Sequence, residues 1–421
     1  MTDAARSPED LGRLAQSLLD ELARVTDEPG RITRTYLSPA HARSIDLVGG
    51  WMRERGLTTE LDPVATLRGR RAADEGAAPR TLLIGSHIDT VVDAGKLDGT
   101  LGVIGGILAL EEIERRGLRL PFAVEILAFG DEEGVRFPSA LSSSSAATGT
   151  YRREWLEARD RDGVKLAEAL IAFGCDPARI ETATIDPAGV LGYLEIHIEQ
   201  GPRLEHWGLP LGVVTSIAGQ TRMSMTLTGM AGHAGTVPMD LRRDALAGLA
   251  EIILGVERIG RQGTGELVAT VGRVQVFPGA GNTVPGRVEA SLDVRAAADT
   301  PRLVALERIA WEAGRIAERR GLSVALERNV DVPTCPMDEG LQEAFARAVV
   351  SLGLDLRRLP SGAGHDAMAM ARSFPSAMLF IRSKAGISHN PLEWSDPLDL
   401  GLGIEALVRT ILDLAEKERD R

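Results

Sequence analysis

The chain has 421 residues, 44% of them hydrophobic and 26% charged, with a formal net charge of −12. That is the balance of a globular protein too long for one ordinary core, so two domains are expected. The negative charge argues against nucleic acid or an anionic membrane as partner, and no window reaches the roughly 18 unbroken apolar residues of a membrane span. The segment Met1–Pro8 carries no apolar signal core. Cys175 and Cys335 make no disulfide framework, and a reducing cytoplasm is the expected setting.

In chain order, Leu11–Val25 and Ala40–Arg55 have the spacing of amphipathic helices. Arg80–His87 is a buried-strand run, Gly99–Arg116 a helix, and Ala123–Ala128 a second buried strand ending at Asp131-Glu132-Glu133. Leu191–His197 and Ala377–Ile381 repeat the pattern, the latter followed by Gly386-Ile387-Ser388-His389. Chemistry-bearing residues therefore follow strand C-termini, where open α/β sheets place their ligand crevices. Between them the rhythm changes. Thr221–Thr228, Leu267–Val276, Arg287–Val294 and Leu322–Glu327 read as strands, with helices at Asp240–Arg261 and Pro301–Arg320. That order, β-α-β-β-α-β, is the ferredoxin-like split motif. An α/β catalytic domain with a central mixed sheet (1–211 and 329–421), interrupted by an inserted domain (212–328), is expected.

Three of the seven histidines fall in four short segments rich in carboxylates: His87-Ile88-Asp89 running to Asp98-Gly99, Asp131-Glu132-Glu133-Gly134, His197-Ile198-Glu199-Gln200-Gly201, and Ser388-His389. Histidines with carboxylates suit zinc, manganese or nickel rather than calcium. Taken singly, each residue also has a plain structural reading. His87 can be a satisfied core histidine, or a ligand whose tautomer Asp89 fixes. Asp98 can be a helix N-cap, or a carboxylate shared by two metals. Glu132 and Glu133 can be a solvated loop, or a ligand beside a general base. Strand alternation puts Glu195, His197 and Glu199 on one face, an unusual composition for packed core. His389 follows a glycine turn. Their conjunction on strand ends of one sheet favours a dinuclear metal site.

The motifs Gly85-Ser86-His87-Ile88-Asp89-Thr90 with Asp98-Gly99, Glu132-Glu133-Gly134-Val135-Arg136-Phe137, His197-Ile198-Glu199-Gln200-Gly201-Pro202, Gly232-His233-Ala234-Gly235, Asn282-Thr283-Val284-Pro285-Gly286 and Ser361-Gly362-Ala363-Gly364-His365-Asp366 resemble the hydantoinase/carbamoylase branch of the M20 metallopeptidase-like amidohydrolases. The resemblance covers nearly the whole chain. It implies a zinc-peptidase-like catalytic domain with an inserted lid and dimerisation domain, two divalent metal ions (Zn, Mn or Ni), and a homodimer. His87, Asp98, Glu133, His197 and His389 would be the ligands, with Asp98 bridging. Glu132 would be the catalytic base and Asp89 the partner of His87. Gln200 would bind substrate near the metals, His233 would stabilise the oxyanion from the partner subunit, and Asn282 and Arg295 would grip a substrate carboxylate. His365 would line the substrate end or support Asp366.

The implied reaction is hydrolysis of a linear ureido C–N bond in a small carboxylate, allantoate first. N-carbamoyl-L-amino acids or β-ureidopropionate are the alternatives, and a catalytically silent homologue the distant one. After Phe137 the chain departs from its relatives in Ser142-Ser143-Ser144-Ser145, a stretch expected to form a loop bordering the site.

Overall fold

The computed structural model describes residues 5–74 and 80–420, so Met1–Ala4 of the amino-terminal segment lie outside the described residues. The chain forms two compact units. One comprises the described residues of Met1–Thr215, Met337–Leu359 and Gly364–Arg421; the other comprises Ser216–Pro336 and Pro360–Ala363.

In the first unit, the short apolar runs Thr81–His87 and Ala123–Phe129 are strands buried at every position. Such runs belong to parallel strands covered on both faces. Ala123–Phe129, Thr81–His87, Val190–Ile198 and Ser376–Ile381 lie side by side in that order, all parallel. Leu67–Arg71 and then Thr58–Leu61 extend one side antiparallel, and the start of Leu211–Ile217 is antiparallel on the other. This is an α/β fold with a central mixed sheet. The register sets His87 opposite Phe129 and His197 opposite Phe380, so the four parallel strands deliver their C-termini to one edge. Helices Pro8–Ala23, Thr100–Arg115 and Pro397–Arg419 contribute Leu19, Ile107 and Leu407 to the core, against Ile84, Ile126 and Ile196.

The second unit holds a four-stranded antiparallel sheet in the order Ser323–Val332, Gly219–Thr228, Arg287–Ala296, Val268–Phe277. Helices Ala245–Gln262 and Asp299–Arg320 share its core, where Leu249, Ile252 and Ile309 meet Leu227, Val288 and Leu292. A separate ribbon pairs Gly232–His233 with Thr283–Val284. Among the described residues no helix is long and apolar enough to cross a membrane.

Element boundaries moved for local reasons. The helix read from Leu11 begins at Pro8, because Ser7 Oγ accepts from Asp10 N and proline suits the first turn. The helix read from Asp240 begins at Ala245, because Asp244 caps it by accepting from Leu246 N and Ala247 N. The strands Thr58–Leu61 and Leu67–Arg71 went unread because charge stands where apolar alternation is sought. Arg68 and Arg70 pair with Glu125 on the neighbouring strand at 2.5 and 3.3 Å.

Candidate metal centre

All the expected ligands lie at that one sheet edge of the first unit. His87 ends its strand, Glu132 and Glu133 follow Phe129, His197 is the penultimate residue of Val190–Ile198, and His389 follows Ile381 on a turn. Asp98 arrives on the loop before helix Thr100–Arg115. That loop can press on the strand because residue 99 is glycine. Gly99 has φ +70°, and a Cβ there would lie 2.4 Å from the His87 ring.

Asp98 divides the cluster in two. Its Oδ1 faces His197 Nε2 at 3.2 Å and His87 Nε2 at 3.6 Å. Its Oδ2 faces His389 Nε2 at 3.1 Å, and His389 Nε2 is 3.6 Å from Glu133 Oε1. His87–Asp98–His197 and Asp98–Glu133–His389 are each close enough to hold one ion, with Asp98 common to both. The imidazole tautomers support that use. His87 Nδ1 lies 3.0 Å from the Asp89 carbonyl and His197 Nδ1 2.9 Å from the Ile198 carbonyl, so both Nδ1 atoms carry their protons outward. Both Nε2 lone pairs then point at a carboxylate oxygen, which is repulsive unless a proton or cation lies between. Gly99 N donates to His197 Nε2 at 3.2 Å, consistent with a bare nitrogen there. The donor set of three imidazoles and two carboxylates fits a borderline divalent ion.

Electrostatics express the same demand for positive charge. Burial would lower His87, yet hydrogen bonds to Asp89 and Asp98 outweigh it and raise its pKa well above the usual range. Burial would raise Asp98, yet His197, His389 and His87 hold it well below a normal carboxylate. The hydrogen bond to Asp98 raises His389 to about 9. Burial pushes Glu133 up to about 7, against the pull of His87, and pushes Glu132 well above its ordinary value.

Other expected residues take more specific places. The Asp89 carboxylate accepts from Glu132 N and Glu133 N, each at 3.2 Å, so it fixes the backbone of both glutamates while its carbonyl meets His87 Nδ1. Gln200 Nε2 donates to Asp98 Oδ2 at 2.7 Å. His365 is buried edge-on against His197, ring centroids 4.5 Å apart, and burial lowers its pKa far enough to keep it neutral. Glu199 lies beyond the strand end and accepts from Arg203 N and Leu204 N, an anchoring role rather than a ligand's. The serine stretch is a correction. Ser142–Ala147 is a short buried helix rather than a loop: Ser142 donates to Asp131 Oδ2, and Ser143 Oγ accepts from Gly130 N and Asp131 N at 3.1 and 3.3 Å.

In the second unit, His233 and Thr283 are register partners on the small ribbon, which brings His233 beside Asn282, both exposed. Arg295 lines a concave sheet face of about 820 Å³ with Arg222, Thr270 and Asp293. Its Nε and Nη2 donate to Asp293 at 3.0 and 3.2 Å, and Nη1 donates to the Gly362 carbonyl at 2.8 Å.

Residues 83–413 match the model of peptidase family M20/M25/M40. The chain belongs to this family. It is 41% identical over 409 residues to an N-carbamoyl-L-amino acid amidohydrolase of Geobacillus stearothermophilus, covering 96% of this chain and 99% of that one. It is 39% identical to an allantoate deiminase of Arabidopsis thaliana, covering 96% and 82%. A hydantoinase/carbamoylase family amidase from Burkholderia multivorans superposes with a TM-score of 0.88 at 33% identity, over 96% and 98% of the two chains. AtUAH in complex with glyoxylate superposes with a TM-score of 0.76 at 30% identity, over 99% of each.

Two buried carboxylates beside the cluster were given no site role by sequence reasoning, although Glu195 was placed on the strand face of His197. Glu195 accepts from Ser86 Oγ, Tyr193 OH and Ala367 N at 2.8, 3.0 and 3.1 Å, within ligand reach of His197 and His365. Glu393 accepts from the backbone of the Asp98 loop. Its one sequence signal was its position four residues after His389.

Proposed function

We propose that this chain hydrolyses a linear ureido C–N bond in a small carboxylate substrate, allantoate first, and that His87, Asp98, Glu133, His197 and His389 would hold two divalent ions for that reaction. The observation that carries this reading is the division of Asp98, one oxygen toward His87 and His197 and the other toward His389 and Glu133. When bound, such ions supply Lewis acidity at a carbonyl and lower the pKa of water.

The chain's own residues then do the following. Glu132, fixed through its backbone by Asp89, takes the proton of the attacking water and passes it to the leaving nitrogen. A carboxylate whose pKa burial has raised suits both directions of transfer near neutral pH. Assistance of this kind is worth about 10²–10⁴ in rate. Gln200 is tied to Asp98 at 2.7 Å and keeps its Oε1 without a hydrogen bond, so it is placed to meet a substrate N–H. Arg295 offers a planar fork to the substrate carboxylate, already oriented by Asp293. Asn282 joins that grip, and His233 stabilises the oxyanion across a homodimer. The second unit is read as the ferredoxin-like lid and dimerisation domain, on its strand order and paired helices. The full ligand set with Glu132 in place speaks against a silent homologue.

N-carbamoyl-L-amino acids are the second reading, favoured by the 41% identity to a relative of that name against 39% to an allantoate deiminase. Ammonia release by manganese-loaded protein from allantoate, N-carbamoyl-L-methionine and β-ureidopropionate decides between them. Preference for allantoate is expected. Preference for a carbamoyl amino acid would keep the chemistry and move the substrate, and silence on all three would sink the proposal.

A further inference from the structure

Glu393 lies outside every ligand and substrate motif described above. It is 3% exposed, with no arginine or lysine bonded to it among the described residues. A carboxylate buried that deeply must be satisfied by hydrogen bonds. Its Oε1 accepts from Leu97 N at 2.7 Å and from Asp98 N at 3.1 Å. Its Oε2 accepts from Ser388 Oγ at 2.7 Å, and that hydroxyl also lies 2.9 Å from Asp98 Oδ2. One side chain therefore clasps two loops far apart in sequence: the loop that brings Asp98, and the turn that brings Ser388 and His389. His389 sits on that turn with φ 53°, in the left-handed region that few residues other than glycine occupy.

Gly95 supplies an independent sign of the same design. A Cβ at residue 95 would lie 2.2 Å from both Cδ and Oε1 of Glu393. Residue 95 is not among the glycines with positive φ, so its backbone would accept alanine, and the three nearest obstacles all belong to the Glu393 side chain, its Cβ at 2.4 Å included.

We infer that Glu393 is a positioning residue for the metal pair, holding the Asp98 loop to the His389 turn, and that residue 95 is glycine to seat it. The inference rests on the reading of Asp98 and His389 as ligands. It makes a distinctive demand on substitutions. In Glu393→Gln the side-chain carbonyl still accepts from Leu97 N and Asp98 N. The amide donates to Ser388 Oγ, whose own proton then goes to Asp98. Geometry survives although the charge is gone. In Glu393→Ala the clasp is lost.

The experiment is manganese affinity measured by competition with a chromophoric chelator, on full-length protein whose folding is checked by circular dichroism. Glu393→Ala should bind manganese about 10–100-fold more weakly, the usual range for residues that orient metal ligands. Glu393→Gln should restore affinity to within about threefold of wild type. Gly95→Ala should weaken binding by roughly tenfold in the wild-type background, and should add less than about twofold in a Glu393→Gly background, where none of the three Glu393 atoms nearest its Cβ remains. Wild-type affinity in Glu393→Ala, a tenfold loss in Glu393→Gln, or an equal cost of Gly95→Ala in both backgrounds would each overturn the inference. The Gln result stands alone if Glu393→Ala does not fold. Manganese uptake indifferent to Asp98→Asn would instead remove the ligand reading beneath it, and the two failures are told apart by that control.

Discussion

In the first unit, the residues proposed to do chemistry are buried or half-buried, His389 excepted, and are bonded to one another before any substrate arrives. His87, Asp98 and His197 are 2%, 6% and 1% exposed, and the Asp98 carboxylate alone meets three imidazoles and Gln200. In the second unit, His233 and Asn282 are exposed at a ribbon, and Arg295 is half-buried on an open sheet face. One region is bonded within itself around a demand for positive charge; the other presents its groups at exposed or half-buried places, with Arg295 oriented there by Asp293 and the Gly362 carbonyl. Substitutions in the first should therefore abolish metal binding or turnover, and substitutions of Arg295 and Asn282 in the second should chiefly weaken substrate binding.

The largest effect should come from the base. Glu132→Gln is expected to lower kcat by about 10²–10⁴ with metal content unchanged; steady-state kinetics with elemental analysis checks both halves. Retention of most activity would refute the assigned role. Next, Asp98→Asn should cost more than the roughly 10–100-fold typical of residues that merely orient ligands, read as manganese affinity by chelator competition. In the second unit, Arg295→Lys should raise KM roughly 10–100-fold while kcat moves only a few-fold. The lost fork is worth about 1.5–3 kcal/mol, as expected of a charge-assisted pair. A kcat collapse with KM unchanged would erase the contrast between the regions.

The last expected effect is on stability rather than activity, and concerns a histidine of the first unit that belongs to no ligand set. His41 is fully buried, and burial lowers its pKa from 6.5 to about 4. The unfolded chain takes up a proton below about 6.5 while the folded chain refuses it until about 4, so stability is full above 6.5 and is lost as pH falls through that window. The whole loss is about 3 kcal/mol at most. Denaturant unfolding at pH 7 and pH 5 should show it, and His41→Asn should flatten the difference.

How much of this was legible in the sequence follows from what each residue needs. His87, His197 and the Glu132-Glu133 pair could be placed at strand ends because buried parallel strands announce themselves as short apolar runs, and the residues proposed as ligands stand where such runs stop. The strand order of the second unit was readable because alternation and helical spacing take turns there. Glu393 was not readable. Its partners Leu97 and Asp98 offer backbone amides, which carry no sequence signature, and the contact spans |i−j| of 296 and 295 residues. Ser142–Ser145 misled for a related reason. Four serines look like a solvated loop until Asp131 and the Gly130–Asp131 backbone N–H groups are seen to need hydroxyl partners in a buried place.

The shared carboxylate is the centre of the account, and anomalous diffraction from manganese-loaded crystals tests it most directly. Two peaks are expected, one among Asp98 Oδ1, His87 and His197 and one among Asp98 Oδ2, Glu133 and His389. A single peak in fully active protein, or peaks away from Asp98, would contradict it.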